Sequence, residues 1–225
     1  MAQIQTIATG SKGNAYILQD DMGNQLLLDC GVKRTEIVKA LNFSIDRLCG
    51  CVVTHGHHDH DLASHEMSML GVSVWKPYLE ENKRQIKKFG DFSVQSFPVP
   101  HDECDCVGYY IKFGTHKLLY ATDCEYIPYS FANVGLTDLL IESNYESRFL
   151  DTEQAQFLHK VKGHFSLENC IEFIEHNQTP ALANIIICHM SSYTLNVDEA
   201  ITRIKQSAMP FTDVYAAKKG KVIRI

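Results

Sequence analysis

Along the chain, polar and apolar positions alternate as in a strand over Gln3 to Ala8, break at Gly10-Ser11-Lys12-Gly13-Asn14, and resume over Ala15 to Gln19. Asp20 to Asn24 reads as a hairpin turn and Gln25 to Asp29 as the next strand. Thr35 to Leu41 has helical spacing, with Thr35 as a suitable N-cap. The apolar run 49–53 predicts another strand, Leu62 to Leu70 a helix stopped by Gly71, and Val72 to Trp75 a short strand. Leu79 to Phe89 reads as a helix whose solvated face carries Lys83, Arg84, Lys87 and Lys88, the densest basic run in the chain.

Strands are predicted at Phe92 to Val99, Val107 to Ile111, Lys117 to Tyr120, Asp138 to Glu142 and Asn184 to Cys188. Leu167 to His176 is a helix capped by Ser166, although a full capping box would need Glu or Gln where Asn169 stands. Asp198 to Ser207 is a further helix, and Val214-Tyr215 opens short terminal strands. Mixed strands and helices, with no repeat and no low-complexity linker, predict one α/β domain over residues 1–225.

Composition narrows the class. An apolar content of 45% and a charged content of 21% are those of a soluble globular protein. The formal charge of -6 argues against a large basic footprint for duplex nucleic acid, although bound divalent cations would make a site locally positive. Met1 to Gln5 lacks the basic and apolar regions of a signal peptide, and no apolar stretch is long enough to span a membrane. Eight cysteines without an export signal read as reduced thiols, which places the chain in the cytoplasm.

The chemistry centres on Thr54-His55-Gly56-His57-His58-Asp59-His60, directly after the apolar run. Imidazole is the commonest protein metal ligand, and imidazoles mixed with a carboxylate suit zinc, manganese or iron. On a loop leaving a strand, His55 and His57 can converge on one ion while Asp59 and His60 turn toward a second. The Gly10 to Asn14 turn is either a plain hairpin turn or a donor-rich loop in which Ser11, Lys12 and Asn14 meet an anionic substrate. Glu142 ends a buried-looking strand, where it needs a partner, and Asn144 follows as a candidate substrate contact.

His55-x-His57-x-Asp59-His60 resembles the signature of the metallo-β-lactamase superfamily. Gly10-Ser11-x-Gly13-Asn14, His101-Asp102, the strand Val107 to Ile111 and His189-Met190-Ser191 are similar to its YycJ/WalJ-type branch, a relative of ribonuclease Z. This resemblance implies a four-layer αββα sandwich with two divalent metal ions, zinc or alternatively manganese, at one edge of the paired sheets. It implies His101 as a ligand with His55 and His57, His189 as a ligand with Asp59 and His60, and Asp123 as a bridging carboxylate. Asp29 would orient a ligand imidazole. Glu142 and His164 look like the proton-delivery pair of ribonuclease Z. A carboxylate on one imidazole nitrogen fixes the tautomer and raises the basicity of the ring.

The expected function is a dinuclear metal phosphodiesterase using a metal-bridged hydroxide, with Asp59, Glu142 and His164 as catalytic residues. Its substrate would be single-stranded nucleic acid or, alternatively, a small 3′,5′-cyclic nucleotide, as in compact phage-encoded relatives. A thioester hydrolase and an oxygen-reducing di-iron protein are further readings; the second needs a carboxylate where His57-His58 stands. The span between Asp123 and His189 is too short for an inserted nucleic-acid-processing domain, and no long arm for tRNA is evident. A homodimer, with a neighbouring chain lining part of the pocket, is compatible with the sequence.

Overall fold

The computed structural model describes residues 1–153 and 157–225. Its strands are β1 (Gln3–Ala8), β2 (Ala15–Gln19), β3 (Gln25–Leu28), β4 (Leu48–Val52), β5 (Val74–Trp75), β6 (Ile86–Phe89), β7 (Phe92–His101), β8 (Cys104–Phe113), β9 (His116–Ala121), β10 (Asp138–Glu142), β11 (Asn184–Cys188), β12 (Asp213–Ala216) and β13 (Val222–Arg224). Its helices are α1 (Arg34–Ala40), α2 (His58–Asp61), α3 (Ser64–Met69), α4 (Phe157–Gly163), α5 (Leu167–Asn177) and α6 (Val197–Ser207).

The strands form a six-stranded sheet, β13-β1-β2-β3-β4-β5, and a seven-stranded sheet, β12-β11-β10-β9-β8-β7-β6. The apolar positions explain how they pack. One cluster joins Leu28 and Val52 of the first sheet to Tyr109, Ile111, Leu118 and Tyr120 of the second, and it also takes in Ile37 of α1 and Met67 of α3. A second cluster joins the other face of the larger sheet, with Leu139, Ile141, Ile185 and Ile187, to Phe173 and Ile174 of α5 and Ile204 of α6. Both sheets are therefore covered on both faces, which is the expected αββα sandwich. Their central strands can be buried along their whole length with consecutive apolar residues in the middle, as β10 and β11 are, because neither face meets water.

Strand β9 is parallel to β10, β10 to β11, and β3 to β4. Asp29, Asp123 and His189 lie immediately beyond the carboxyl ends of this parallel set, and each takes a left-handed backbone conformation (φ 55°, 51° and 48°). Non-glycine residues rarely sit there, and each costs about 1–3 kcal/mol, so such positions gather where function demands them. Asp102, in the β7–β8 turn, shares the conformation at φ 45°.

Several local expectations need correction. Residues 79–89 do not form one helix: a 3₁₀ turn ends at Leu79, and β6 runs antiparallel to β7 at the edge of the sheet. Phe89 pairs with Phe92 across a tight turn whose Gly90 has φ 56°, so hairpin pairing overrides the helical spacing. Lysines on an edge strand also discourage further pairing. The basic residues disperse: Lys83 pairs with Asp105 at 3.1 Å, while Arg84 lies over the Tyr129 ring at 4.6 Å. Thr35 is inside α1, whose N-cap is Lys33 and carries no side-chain cap. Cys104 and Cys106 lie in the start of β8, and Cys106 is buried. Ser166 does cap α5, accepting from the Asn169 amide nitrogen at 3.0 Å.

Candidate metal centre

The His-rich loop leaves β4 and turns at once into the single turn of α2, so His55 and His57 precede the helical turn while Asp59 and His60 ride on it. Backbone bonds lock this loop against two others. The Asn14 amide donates to the Asp59 carbonyl at 2.7 Å, Cys30 N to the His60 carbonyl at 2.9 Å, and Gly31 N to the Asn14 carbonyl at 2.9 Å. Gly31 is the tight point, because a Cβ there would lie 1.6 Å from the Asp59 carbonyl oxygen. Gly31→Ala is accordingly expected to lower stability by about 1–3 kcal/mol or more through overpacking and to reduce metal uptake. Urea denaturation and metal analysis would check both.

Three strand ends complete the constellation: β7 brings His101, the turn after β9 brings Asp123, and the turn after β11 brings His189. The candidate ligand atoms fall into four groups within 4.8 Å of one another: His55, His57 and His101; Asp59, His60 and His189; His55, His60 and Asp123; and Asp123, Glu142, His164 and His189. Asp123 Oδ2 lies 3.0 Å from His60 Nε2 and Oδ1 3.4 Å from His189 Nδ1, and its grouping with His55 and His60 connects it to the other side. Two buried nitrogens in this set, His55 Nε2 and His189 Nε2, have no hydrogen-bond partner among the described residues. Buried polar atoms without partners are rare, and convergent unpaired imidazole nitrogens beside carboxylates fit a divalent cation.

The opposite edge of each ring is anchored. His60 Nδ1 donates to Asp29 Oδ2 at 2.7 Å, and the same carboxylate accepts from Tyr120 OH at 2.5 Å and the Thr54 amide at 2.7 Å. His101 Nδ1 donates to the Gly163 carbonyl at 2.8 Å, and His55 Nδ1 lies 3.0 Å from Thr54 Oγ1. His189 Nδ1 and His164 Nδ1 share Glu142 Oε1, at 2.7 and 2.9 Å. Glu142 Oε2 accepts from the Asp123 amide at 2.6 Å and the Phe165 amide at 3.2 Å, so its buried charge is fully partnered. Partners of this kind fix tautomer and ring direction.

Electrostatics divide the imidazoles. Burial pushes His55 well below its ordinary pKa, helped by the neighbouring His60 charge, and burial also lowers His101. Burial opposes the charged form of His60 too, but Asp123 and Asp29 outweigh it and raise that ring well above its usual value. For His189, burial is outweighed by Asp123 and Glu142, which bring it to about 10. For His164, burial is outweighed chiefly by Glu142, then Asp123, which bring it to about 9.

The expected substrate contacts divide in a similar way. Ser11 and Lys12 stand exposed at the tip of their turn. Asn14 and Asn144, by contrast, are buried and already engaged. Asn14 Nδ2 lies 2.9 Å from His60 Nε2, and Asn14 Oδ1 accepts from Gly10 N at 2.9 Å. Asn144 Nδ2 donates to the His189 carbonyl at 2.7 Å, while its amide donates to the Phe165 carbonyl at 2.8 Å. These contacts tie both asparagines to the loops of the centre, and Asn144 Oδ1 is buried without a hydrogen-bond partner among the described residues. Sequence reading passed over Thr54, Tyr120 and Thr9, whose hydroxyl accepts from the His189 amide at 2.8 Å. His159 also lies near the centre, its ring centroid 6.2 Å from that of His164.

Comparison with known proteins agrees with this geometry. A family model described as the metallo-beta-lactamase superfamily matches residues 8–148. The chain is 29% identical over 174 residues to a Bacillus anthracis protein named exodeoxyribonuclease YycJ; that match covers 64% of this chain and 63% of the relative. It is 24% identical over 216 residues to exodeoxyribonuclease WalJ of Streptococcus pneumoniae, covering 82% of this chain and 80% of the relative. Among solved structures, the metallo-beta-lactamase fold protein YhfI from Bacillus subtilis superposes with a TM-score of 0.76 at 17% identity, covering 99% of this chain and 98% of that one.

Proposed function

Since the chain belongs to the metallo-β-lactamase superfamily, we propose that it is a metal-dependent phosphodiesterase, and specifically a nuclease acting on single-stranded nucleic acid. The observation that carries this reading is His164, tied by Nδ1 to Glu142 at 2.9 Å beside the convergent ligand groups. When bound, two divalent cations, zinc or manganese, held by His55, His57 and His101 and by Asp59, His60 and His189 with Asp123 between them, would supply Lewis acidity and an activated water.

The chain's own residues do the rest. Because His164 Nδ1–H is committed to Glu142, its Nε2 is the atom left to carry a proton to a leaving oxygen. Glu142 holds that ring and His189 through one oxygen, so the proton donor and the ligand set are aligned by a single carboxylate. Asp59, with a side chain 26% exposed, is the most open carboxylate of the set and the one placed to take a proton at the solvent side. Lys12 and Ser11, exposed on their turn, would meet the flanking strand. A phosphodiester leaves as a poorly stabilised alkoxide, so a positioned acid matters more for it than for a thioester.

The names of the sequence relatives, exodeoxyribonucleases, favour DNA as the substrate. The net charge of -6 favours the second reading, a small cyclic nucleotide, since no extended basic surface is needed to hold one. Eight free thiols support a reducing compartment, the cytoplasm, as the place of action. Among the described residues, no helix is long and apolar enough to cross a membrane.

The test is a parallel assay of zinc- and manganese-loaded protein on single-stranded DNA, single-stranded RNA and 3′,5′-cyclic mononucleotides, with Asp59→Ala as the blank. Cleavage of the polymers is the expected result. Turnover of cyclic mononucleotides alone would move the assignment to a signal-degrading phosphodiesterase, and inactivity on all three would remove phosphodiesters altogether.

A further inference from the structure

We propose that Lys160, on α4, receives a non-bridging phosphate oxygen of the substrate beside the metal centre. This assignment rests on the phosphodiesterase reading and names a contact that the sequence had placed on the exposed turn at Lys12.

Helix α4 is docked onto the β7–β8 turn by three bonds. His101 Nδ1 donates to the Gly163 carbonyl at 2.8 Å, the Asp102 amide donates to the Lys162 carbonyl at 2.9 Å, and His159 Nδ1 pairs with Asp102 Oδ2 at 2.9 Å. The helix face toward the centre is identified by Gly163. A Cβ there would lie 3.5 Å from His101 Cε1 and 3.8 Å from His159 Cε1. Residues three and four apart share a helix face. Lys160 and His159 are those neighbours of Gly163, so the ammonium rises from the wall that also positions His101 and leads into His164.

Several other cations are already paired. Lys76 binds Asp61 at 2.7 Å, Lys83 binds Asp105 at 3.1 Å, and Arg148 binds Glu146 at 3.0 Å. Lys160 has no ion-pair partner within 4.0 Å among the described residues, although its side chain is half-buried. Burial pulls its pKa down, and the charges that oppose this are the Glu142 and Asp123 carboxylates. Both carboxylates are already committed to imidazoles. A half-buried ammonium whose influencing carboxylates are committed elsewhere is stabilised by a mobile anion, and a phosphodiester is that anion.

Lys160→Gln and Lys160→Arg separate charge from packing. With metal-loaded protein and a single-stranded DNA oligonucleotide, Lys160→Gln should raise KM about tenfold with kcat within about threefold, as loss of uniform substrate binding does. Fluorescence anisotropy in excess chelator gives a readout independent of turnover. There the slope of log K against log salt should fall by about 0.7, the share of one phosphate contact. Lys160→Arg should keep both values. If the wild type cuts the oligonucleotide and Lys160→Gln leaves KM and salt slope unchanged, Lys160 is not the phosphate ligand, while the nuclease reading survives. A wild type that neither binds nor cuts it overturns the functional reading and this assignment together.

Discussion

Replacing His164 by alanine is expected to lower turnover on single-stranded DNA about 10²–10⁴-fold, the range of a positioned proton donor, while both metal sites still fill. The metal content should hold because Glu142 loses only one of its partners. It keeps His189 at 2.7 Å, the Asp123 amide at 2.6 Å and the Phe165 amide at 3.2 Å, so the ligand His189 stays oriented. Glu142→Gln differs in this respect, since it weakens the anchor of a ligand and of the proton donor together, and metal content should fall along with activity. The chemical signature of His164 lies in the leaving group. A nucleoside alkoxide needs a proton as it departs, whereas nitrophenolate does not. On bis(p-nitrophenyl) phosphate the His164→Ala loss should therefore shrink to about tenfold or less, because the acid contributes little there. Equal losses on both substrates would mean that His164 shapes the site and delivers no proton.

Much of this site was legible in the sequence because its residues announce themselves in two ways. The His55 to His60 cluster is denser than a surface histidine cluster ordinarily is, and each remaining candidate ligand follows an apolar run that reads as a strand. His101, Asp123 and His189 stand at such ends, and the parallel arrangement of β9, β10 and β11 brings the corresponding ends together. What stayed hidden depends on the third dimension. Tyr120 serves the centre from within a strand that reads simply as core, because its hydroxyl reaches Asp29 across a sequence separation of 91 residues. Asn14 and Asn144 read as substrate contacts because polar residues in a turn suggest access. Their burial beneath the loops shows only once those loops fold back on each other. The basic stretch from Lys83 to Lys88 misled for a different reason. Helical spacing of charges is indistinguishable in sequence from an edge strand whose partner, β7, supplies the pairing from outside the window.

The two halves of the centre should take up metal with different pH dependence. His55 and His101 are held neutral by burial, so these two members of the first group accept a cation without first losing protons. His60 and His189 are held protonated by Asp123 together with Asp29 and Glu142, so the group they form with Asp59 must release protons to bind. Zinc added to chelator-stripped protein at pH 7 in weak buffer should therefore release about two protons per chain, nearly all in the second equivalent. Acidifying loaded protein should empty that second position first. Stability follows the same logic. In the metal-free protein the contribution of His189 is complete below its unfolded pKa of about 6.5 and is lost as pH rises through about 10. Metal binding gains over that same range, since protons compete less. With free metal at about 100 times Kd, each ion adds about 2.7 kcal/mol, or roughly 5–10 °C in Tm for a chain of this size. The Tm gap between zinc-loaded and stripped protein should thus widen from pH 6 to pH 9. A gap that stays constant, with no proton release, would mean that the carboxylates do not hold His60 and His189 charged and that the two positions are electrostatically alike.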